Sequence, residues 1–138
     1  MSEYPRHISV ADYNNDGSSD ILVVTAEYLS SGAYTLHFLE NDGTGTFTDA
    51  SLYDIGRPCS AMEVQDMDRN GTLDVVLIRN GYPCVLYSDG FGNILHSETY
   101  PMWGTSSTLV VNDLNQDGKW DVVAGFRQQD SMAFYEGR

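Results

Sequence analysis

Apolar positions in this chain fall in short runs, broken by polar turn residues before any run grows long. Ile21-Leu22-Val23-Val24 and Val75-Val76-Leu77-Ile78 are four-residue runs, and Val122-Val123-Ala124 is a third of the same kind. Each follows directly on an aspartate and is rich in β-branched residues, so each reads as a strand. Further strands are expected from Tyr34 to Leu39, Cys84 to Tyr87 and Met132 to Tyr135, each reached through a turn, with Asn80-Gly81 a good hairpin turn after the second run. Fourth strands are expected from Phe47 to Tyr53 and from Ile94 to Tyr100, after the turns around Asn41 to Thr46 and Ser88 to Gly92. Thirteen glycines and regular Asn-Asp-Gly clusters favour many tight turns over long helices. The pattern predicts an all-β chain built from four-stranded antiparallel meanders.

The elements repeat. Ile8 to Val24, Met62 to Ile78 and Leu109 to Ala124 share one sequence of an apolar entry, an acidic loop and a β-branched exit. The acidic loops start at Asp12, Asp66 and Asp113, giving periods of 54 and 47 residues. A period near 50 is the length of one propeller blade or a comparable small β unit. The repeats run over approximately 6–56, 57–104 and 105–138, the last without its fourth strand. A single partial domain over 1–138 is therefore expected, either cut from a longer array or completed by another copy.

Within each loop, oxygen-bearing side chains occupy positions 1, 3, 5 and 9 and glycine occupies position 6. Alternate side chains of a tight loop point inward, and glycine permits the left-handed backbone that closes the turn. Four side-chain oxygens and the carbonyl of position 7 form a hard, all-oxygen set suited to Ca²⁺. The candidate ligands are Asp12, Asn14, Asp16, the Ser18 carbonyl and Asp20; then Asp66, Asp68, Asn70, the Thr72 carbonyl and Asp74; then Asp113, Asn115, Asp117, the Lys119 carbonyl and Asp121. An EF-hand would need a glutamate at position 12, which here is Val23, Leu77 or Ala124. The loops thus join strands, not helices. Asp, Asn and Gly making plain turns is the simpler reading of one such loop; three in register, each with an acid at position 9, favour up to three Ca²⁺, one per repeat.

These loops with their apolar flanks resemble the FG-GAP repeat family, including its VCBS-type members and the integrin α-subunit propeller. Glu40-Asn41-Asp42-Gly43-Thr44-Gly45-Thr46-Phe47 resembles the N-x-G-x-G-x-F turn that often ends such a repeat. The resemblance implies β-propeller blades with Ca²⁺ between the first and second strands of each. It also implies mostly extracellular proteins that bind ligands, other proteins or glycans. Propellers of this family usually have six to eight blades, so further blades of the same chain or a homo-oligomer are expected to close the ring. The literal FG and GAP motifs are not evident.

Charge narrows the function classes. Twenty Asp and Glu against seven Lys and Arg give a net charge of −13, and the basic residues are scattered singly, which excludes a phosphate-backbone or polybasic membrane footprint. Nine of the acids lie in the three loops, where they repel one another without a cation; three Ca²⁺ would bring the net charge to −7. No run is long enough to span a bilayer, and the start, Met1-Ser2-Glu3-Tyr4-Pro5-Arg6, lacks the features of a signal peptide. Cys59 and Cys84 are too few for a disulfide framework and read as free or buried thiols. His7, His37 and His96 have no repeated acid or nucleophile partner, and no GxSxG, HExxH or phosphate loop occurs. Tyr28, Tyr34, Tyr82, Tyr100 and Trp103 fall near turns, where they either form a glycan platform or pack blade against blade. The expected function is non-catalytic: a calcium-stabilised extracellular or cell-surface segment for adhesion or for binding a protein or glycan. The alternative is a noncatalytic part or scaffold of a secreted carbohydrate-active enzyme.

Overall fold

The computed structural model describes residues 3–27, 32–101, 104–126 and 131–137. Within them the chain is all-β, with strands β1 (Glu3–Ala11), β2 (Asp20–Glu27), β3 (Tyr34–Asn41), β4 (Phe47–Asp54), β5 (Cys59–Gln65), β6 (Asp74–Arg79), β7 (Tyr82–Ser88), β8 (Ile94–Thr99), β9 (Ser106–Asn112), β10 (Asp121–Phe126) and β11 (Met132–Tyr135). These form three antiparallel sheets, ordered β1-β2-β3-β4, β5-β6-β7-β8 and β11-β10-β9. They are propeller-like blades, called here blades 1, 2 and 3, and they do not close into a ring. Among the described residues no helix is long and apolar enough to cross a membrane.

The apolar runs explain the stacking. In β2, Leu22, Val24 and Ala26 point to one face and are buried, while Ile21 and Val23 on the other face are partly exposed. In β6 every residue from Val75 to Ile78 is buried, because blade 2 is covered on both faces. The first core packs Leu22, Val24, Leu36 and Phe38 of blade 1 against Val75, Leu77, Cys84 and Leu86 of blade 2. The second packs Val76, Ile78 and Val85 against Leu109, Val122 and Ala124 of blade 3. A continuous apolar run is therefore what a two-sided blade needs; alternation suffices where one face is free. The outer faces of blades 1 and 3 keep exposed apolar side chains, Ile8, Val10 and Leu52 on one and Val110, Met132 and Phe134 on the other.

Turns are set by backbone sign. Asn80 and Gly81 both have positive φ, 53° and 85°, the requirement of a type I′ hairpin. In blades 1 and 2 the turn after the third strand is closed by one aspartate. Asp42 Oδ1 accepts from the Thr44 N–H and hydroxyl, and Asp89 Oδ1 accepts from the N–H groups of Phe91 and Asn93.

Tyr34 packs against the first core and Tyr100 lies in the second, so these aromatics join blades. Tyr82 stays partly exposed on its turn, and Tyr28 and Trp103 lie outside the described residues. Cys59 and Cys84 are free and buried, and burial pushes the Cys59 thiol up to about 11. His37 has acidic neighbours, though not ones that recur from repeat to repeat. His37 Nε2 lies 3.2 Å from Glu3 and 3.0 Å from the Thr25 hydroxyl, and Nδ1 lies 3.3 Å from Asp49. Pairing of β1 to β4 in one sheet brings these sequence-distant groups to one face, which no local motif reveals.

Candidate metal centre

Loops 1, 2 and 3 join β1 to β2, β5 to β6 and β9 to β10, and their hydrogen bonds repeat position by position. The position 1 carboxylates face the loop's own backbone: Asp12 accepts from the N–H groups of Asp16 and Gly17, Asp66 from Asn70 and Gly71, and Asp113 from Gly118. Position 3 accepts from the N–H of position 5, as Asn14 from Asp16, Asp68 from Asn70 and Asn115 from Asp117. Position 5 accepts from the N–H of position 7, with Asp16 to Ser18 and Asn70 to Thr72 at 2.7 Å and Asp117 to Lys119 at 2.8 Å. Three successive oxygens are thus drawn toward the centre of each loop.

Glycine at position 6 is left-handed in all three loops: Gly17, Gly71 and Gly118 have φ of 89°, 92° and 87°. Position 4 is left-handed too, although Asn15, Arg69 and Gln116 carry side chains, with φ of 59°, 60° and 60°. For Arg and Gln this geometry costs about 1–2 kcal/mol per residue. The odd-position pattern did not reveal it, since only glycine signals left-handed backbone reliably.

Position 9 has a task of its own. Asp20, Asp74 and Asp121 are fully buried, and each bridges two backbone N–H groups across its blade. Asp20 accepts from Tyr13 and Asn41, Asp74 from Met67 and Ser88, and Asp121 from Leu114 and Gly137, at 2.8–3.1 Å. Each aspartate ties position 2 of its loop to the end of the third strand, or just beyond it in blade 3. These bonds give the acid a place in the fold apart from any cation, a role the repeated motif does not reveal.

Loop 2 gathers its acids most tightly. Asp66, Asp68 and Asp74 bring one carboxylate oxygen each within 4.8 Å of one another, and among the described residues no other three His, Cys, Asp or Glu side chains gather so closely. Burial pushes the Asp74 carboxyl up despite its bonds from Ser88 and Met67, and the charges of Asp68 and Asp66 add to that rise. In blade 3 the N–H of Gly137 instead holds Asp121 below the usual carboxylate range, and in loop 1 the N–H of Ser18 does the same for Asp16. Loops 1 and 3 carry asparagine, not acid, at position 3. Asn14 there donates to Asp16 and also to Glu40, each at 3.1 Å, an acid outside the repeated motif.

A hard cation fits this donor set. A carboxylate oxygen that accepts one N–H retains a lone pair, so the turn hydrogen bonds leave coordination capacity at positions 1, 3, 5 and 9. In loop 3, Asp113 Oδ1 is buried with no hydrogen-bond partner, an acceptor without a donor. Residues 12–77, from the start of loop 1 through loop 2 into β6, match the family of FG-GAP-like repeats. That segment is FG-GAP-like. No curated protein matches the chain. Loop 3 lies beyond the matched FG-GAP-like segment, yet its hydrogen bonds at positions 3, 5 and 9 follow those of loops 1 and 2.

Proposed function

We propose that each FG-GAP-like loop holds one Ca²⁺, through Asp12, Asn14, Asp16, Ser18 and Asp20, through Asp66, Asp68, Asn70, Thr72 and Asp74, and through Asp113, Asn115, Asp117, Lys119 and Asp121. The observation that carries this reading is the gathering of Asp66, Asp68 and Asp74 within 4.8 Å, one of them fully buried. Three carboxylates that close repel one another, and a divalent cation offsets the repulsion. Oxygen-only donors favour Ca²⁺ or Mg²⁺ over softer metals, and an irregular loop supplying carboxylates and a carbonyl suits the flexible geometry of Ca²⁺.

The metal's part is structural: neutralising acids and fixing the loop between the first two strands of each blade. The chain acts as a noncatalytic segment of an extracellular or cell-surface protein, in adhesion or in binding a protein or glycan. Its exposed outer faces, with Ile8, Val10 and Leu52 at one end and Val110, Met132 and Phe134 at the other, take further blades of the same chain or of another copy. Thermal unfolding in EGTA, in Mg²⁺ and across a Ca²⁺ titration tests the metal reading. A ligand at 100 times its dissociation constant adds about 2.7 kcal/mol to the folded state. The expected result is a Ca²⁺-specific rise in melting midpoint, lost when Asp16, Asn70 and Asp117 are replaced by Ala. A cooperative melt that Ca²⁺ leaves unmoved refutes it.

A further inference from the structure

The two loops that precede blade 2's core are not independent of each other. Loop 1 contacts blade 2 through its even positions, 2 and 4. Tyr13, at position 2, is only 2% exposed; its ring packs on Phe38 with centroids 4.9 Å apart, and its hydroxyl lies beside the Ser88 side chain. The backbone N–H of the same Tyr13 donates to Asp20, position 9 of loop 1, while the N–H of Ser88 donates to Asp74, position 9 of loop 2. One side chain therefore stands between the buried aspartates of two candidate sites. Asn15, at position 4, makes a second link: its amide donates at 2.8 Å to the carbonyl of Gly71, between the candidate ligands Asn70 and Thr72.

The geometry recurs between blades 2 and 3. Met67, at position 2 of loop 2, packs against the second core. The guanidinium of Arg69, at position 4, lies 3.5 Å from where a side chain on Gly118 would begin, and Gly118 is position 6 of loop 3. In each case the residues between ligands of one loop rest on the next loop's turn.

We propose that loops 1 and 2 take up Ca²⁺ as a positively coupled pair, with Tyr13 and Asn15 as the positioning residues that carry the coupling. This rests on the calcium reading above. Filling loop 1 fixes the backbone at positions 1, 3 and 5, and so fixes the intervening residues 13 and 15. Their contacts then hold Ser88, Asp74 and the Gly71 carbonyl in place, and loop 2 has less freedom left to lose when its own cation arrives. Linkage makes the effect reciprocal. Simple repulsion between two bound cations predicts the opposite sign, so the sign alone discriminates.

The test is calorimetric Ca²⁺ titration of the full chain with loop 3 disabled by Asp117→Ala. Adding Asp16→Ala or Asp68→Ala leaves loop 2 or loop 1 alone, and the coupling factor is the two-site constant divided by the product of the two single-site constants. The expected factor is about 5- to 10-fold, at the lower end of the usual range because few contacts carry it. Tyr13→Phe with Asn15→Gly keeps the ring and the left-handed backbone, and should bring the factor to one while both loops still bind. In the chain with only loop 1 able to bind, Ca²⁺ should shift the amide resonances of Gly71 and Ser88. A factor of one or below in the chain with native Tyr13 and Asn15, or a factor unchanged in the double variant, overturns the coupling and leaves the calcium reading standing. No Ca²⁺ binding at either loop overturns both.

Discussion

Replacing Asp74 by Asn separates what the position 9 acid does for the fold from what it does for a cation. Its carboxylate is fully buried and accepts from Met67 at 2.8 Å and from Ser88 at 3.0 Å. The amide keeps the shape and one acceptor oxygen, but its NH₂ then faces one of those two backbone donors. A hydrogen bond to a charged group contributes about 1.5–3 kcal/mol, and a buried donor left without acceptor costs a comparable amount. Removing a buried charge that lies beside Asp66 and Asp68 offsets part of this. The net loss in EGTA is expected to be about 1–3 kcal/mol, or roughly 3–10 °C in melting midpoint for a chain of this size. Asp68→Asn is the control: Asp68 is exposed, its asparagine still offers Oδ1 to the Asn70 N–H, and the expected change in EGTA is within about 0.5 kcal/mol. With Ca²⁺ present both variants should lose loop 2's share of the metal-induced rise. Scanning calorimetry of the three proteins, with and without Ca²⁺, reads all of this. Equal midpoints for Asp74→Asn and the unsubstituted chain in EGTA would refute the structural role assigned to position 9.

Two further outcomes follow from the turns. Hydrogen bonds from Thr44 hold Asp42 below its ordinary value, and for Asp89 those from Asn93 and Phe91 outweigh the upward effect of burial, so both folded values lie below the unfolded value of about 3.9. Their contribution is complete above that value and is lost as pH falls through the folded ones, so in EGTA the melting midpoint of the Asp42→Asn, Asp89→Asn double variant should fall less steeply with acid than that of the unsubstituted chain. Gly92 has φ of 87°, and a Cβ there would lie 2.9 Å from Phe38 Cδ1 and against Ser51, whose hydroxyl donates to the Gly92 carbonyl. Gly92→Ala should destabilise by about 2–4 kcal/mol in denaturant unfolding, adding backbone strain to overpacking at the seam of blades 1 and 2.

Much of the architecture was legible because the same chemistry recurs three times. The strands expected at Met132 to Tyr135, Phe47 to Tyr53 and Ile94 to Tyr100 appear as β11, β4 and β8, shifted by at most one residue, because glycine and asparagine mark the turns between them. The left-handed glycines at position 6 followed from the motif for the same reason. What stayed hidden depends on pairing between distant segments. Glu40 reaches Asn14 across 26 residues, and Glu3 and Asp49 meet His37 only because four strands lie side by side. The two-acceptor role of position 9 was equally invisible, since one of its donors, Asn41, Ser88 or Gly137, stands 14 or more residues from the aspartate it serves.

The division of labour within a loop explains residues that the metal motif treats as spacers. Odd positions 1, 3 and 5 turn inward; positions 3 and 5 make the same local hydrogen bonds in every repeat and position 1 accepts from the position 6 N–H in each, so all three carry Asp or Asn. Even positions turn outward and meet whatever lies beyond the blade. At position 2, Tyr13 is 2% exposed where blade 2 covers it, Met67 packs into the second core against blade 3, and Leu114, at the outer side of blade 3, is 52% exposed. Burial thus tracks the presence of a following blade while the residue stays large and apolar. Position 4 obeys the same logic with a different chemistry: Asn15 and Arg69 are polar because they meet backbone at the next loop's turn, not its core. Gln116 is left-handed too, with φ of 60°, so loop 3 is built to the same geometry at a face where Leu114, Val110 and Phe134 are exposed. A motif that writes positions 2 and 4 as x therefore omits the residues through which one blade fixes the placement of the next.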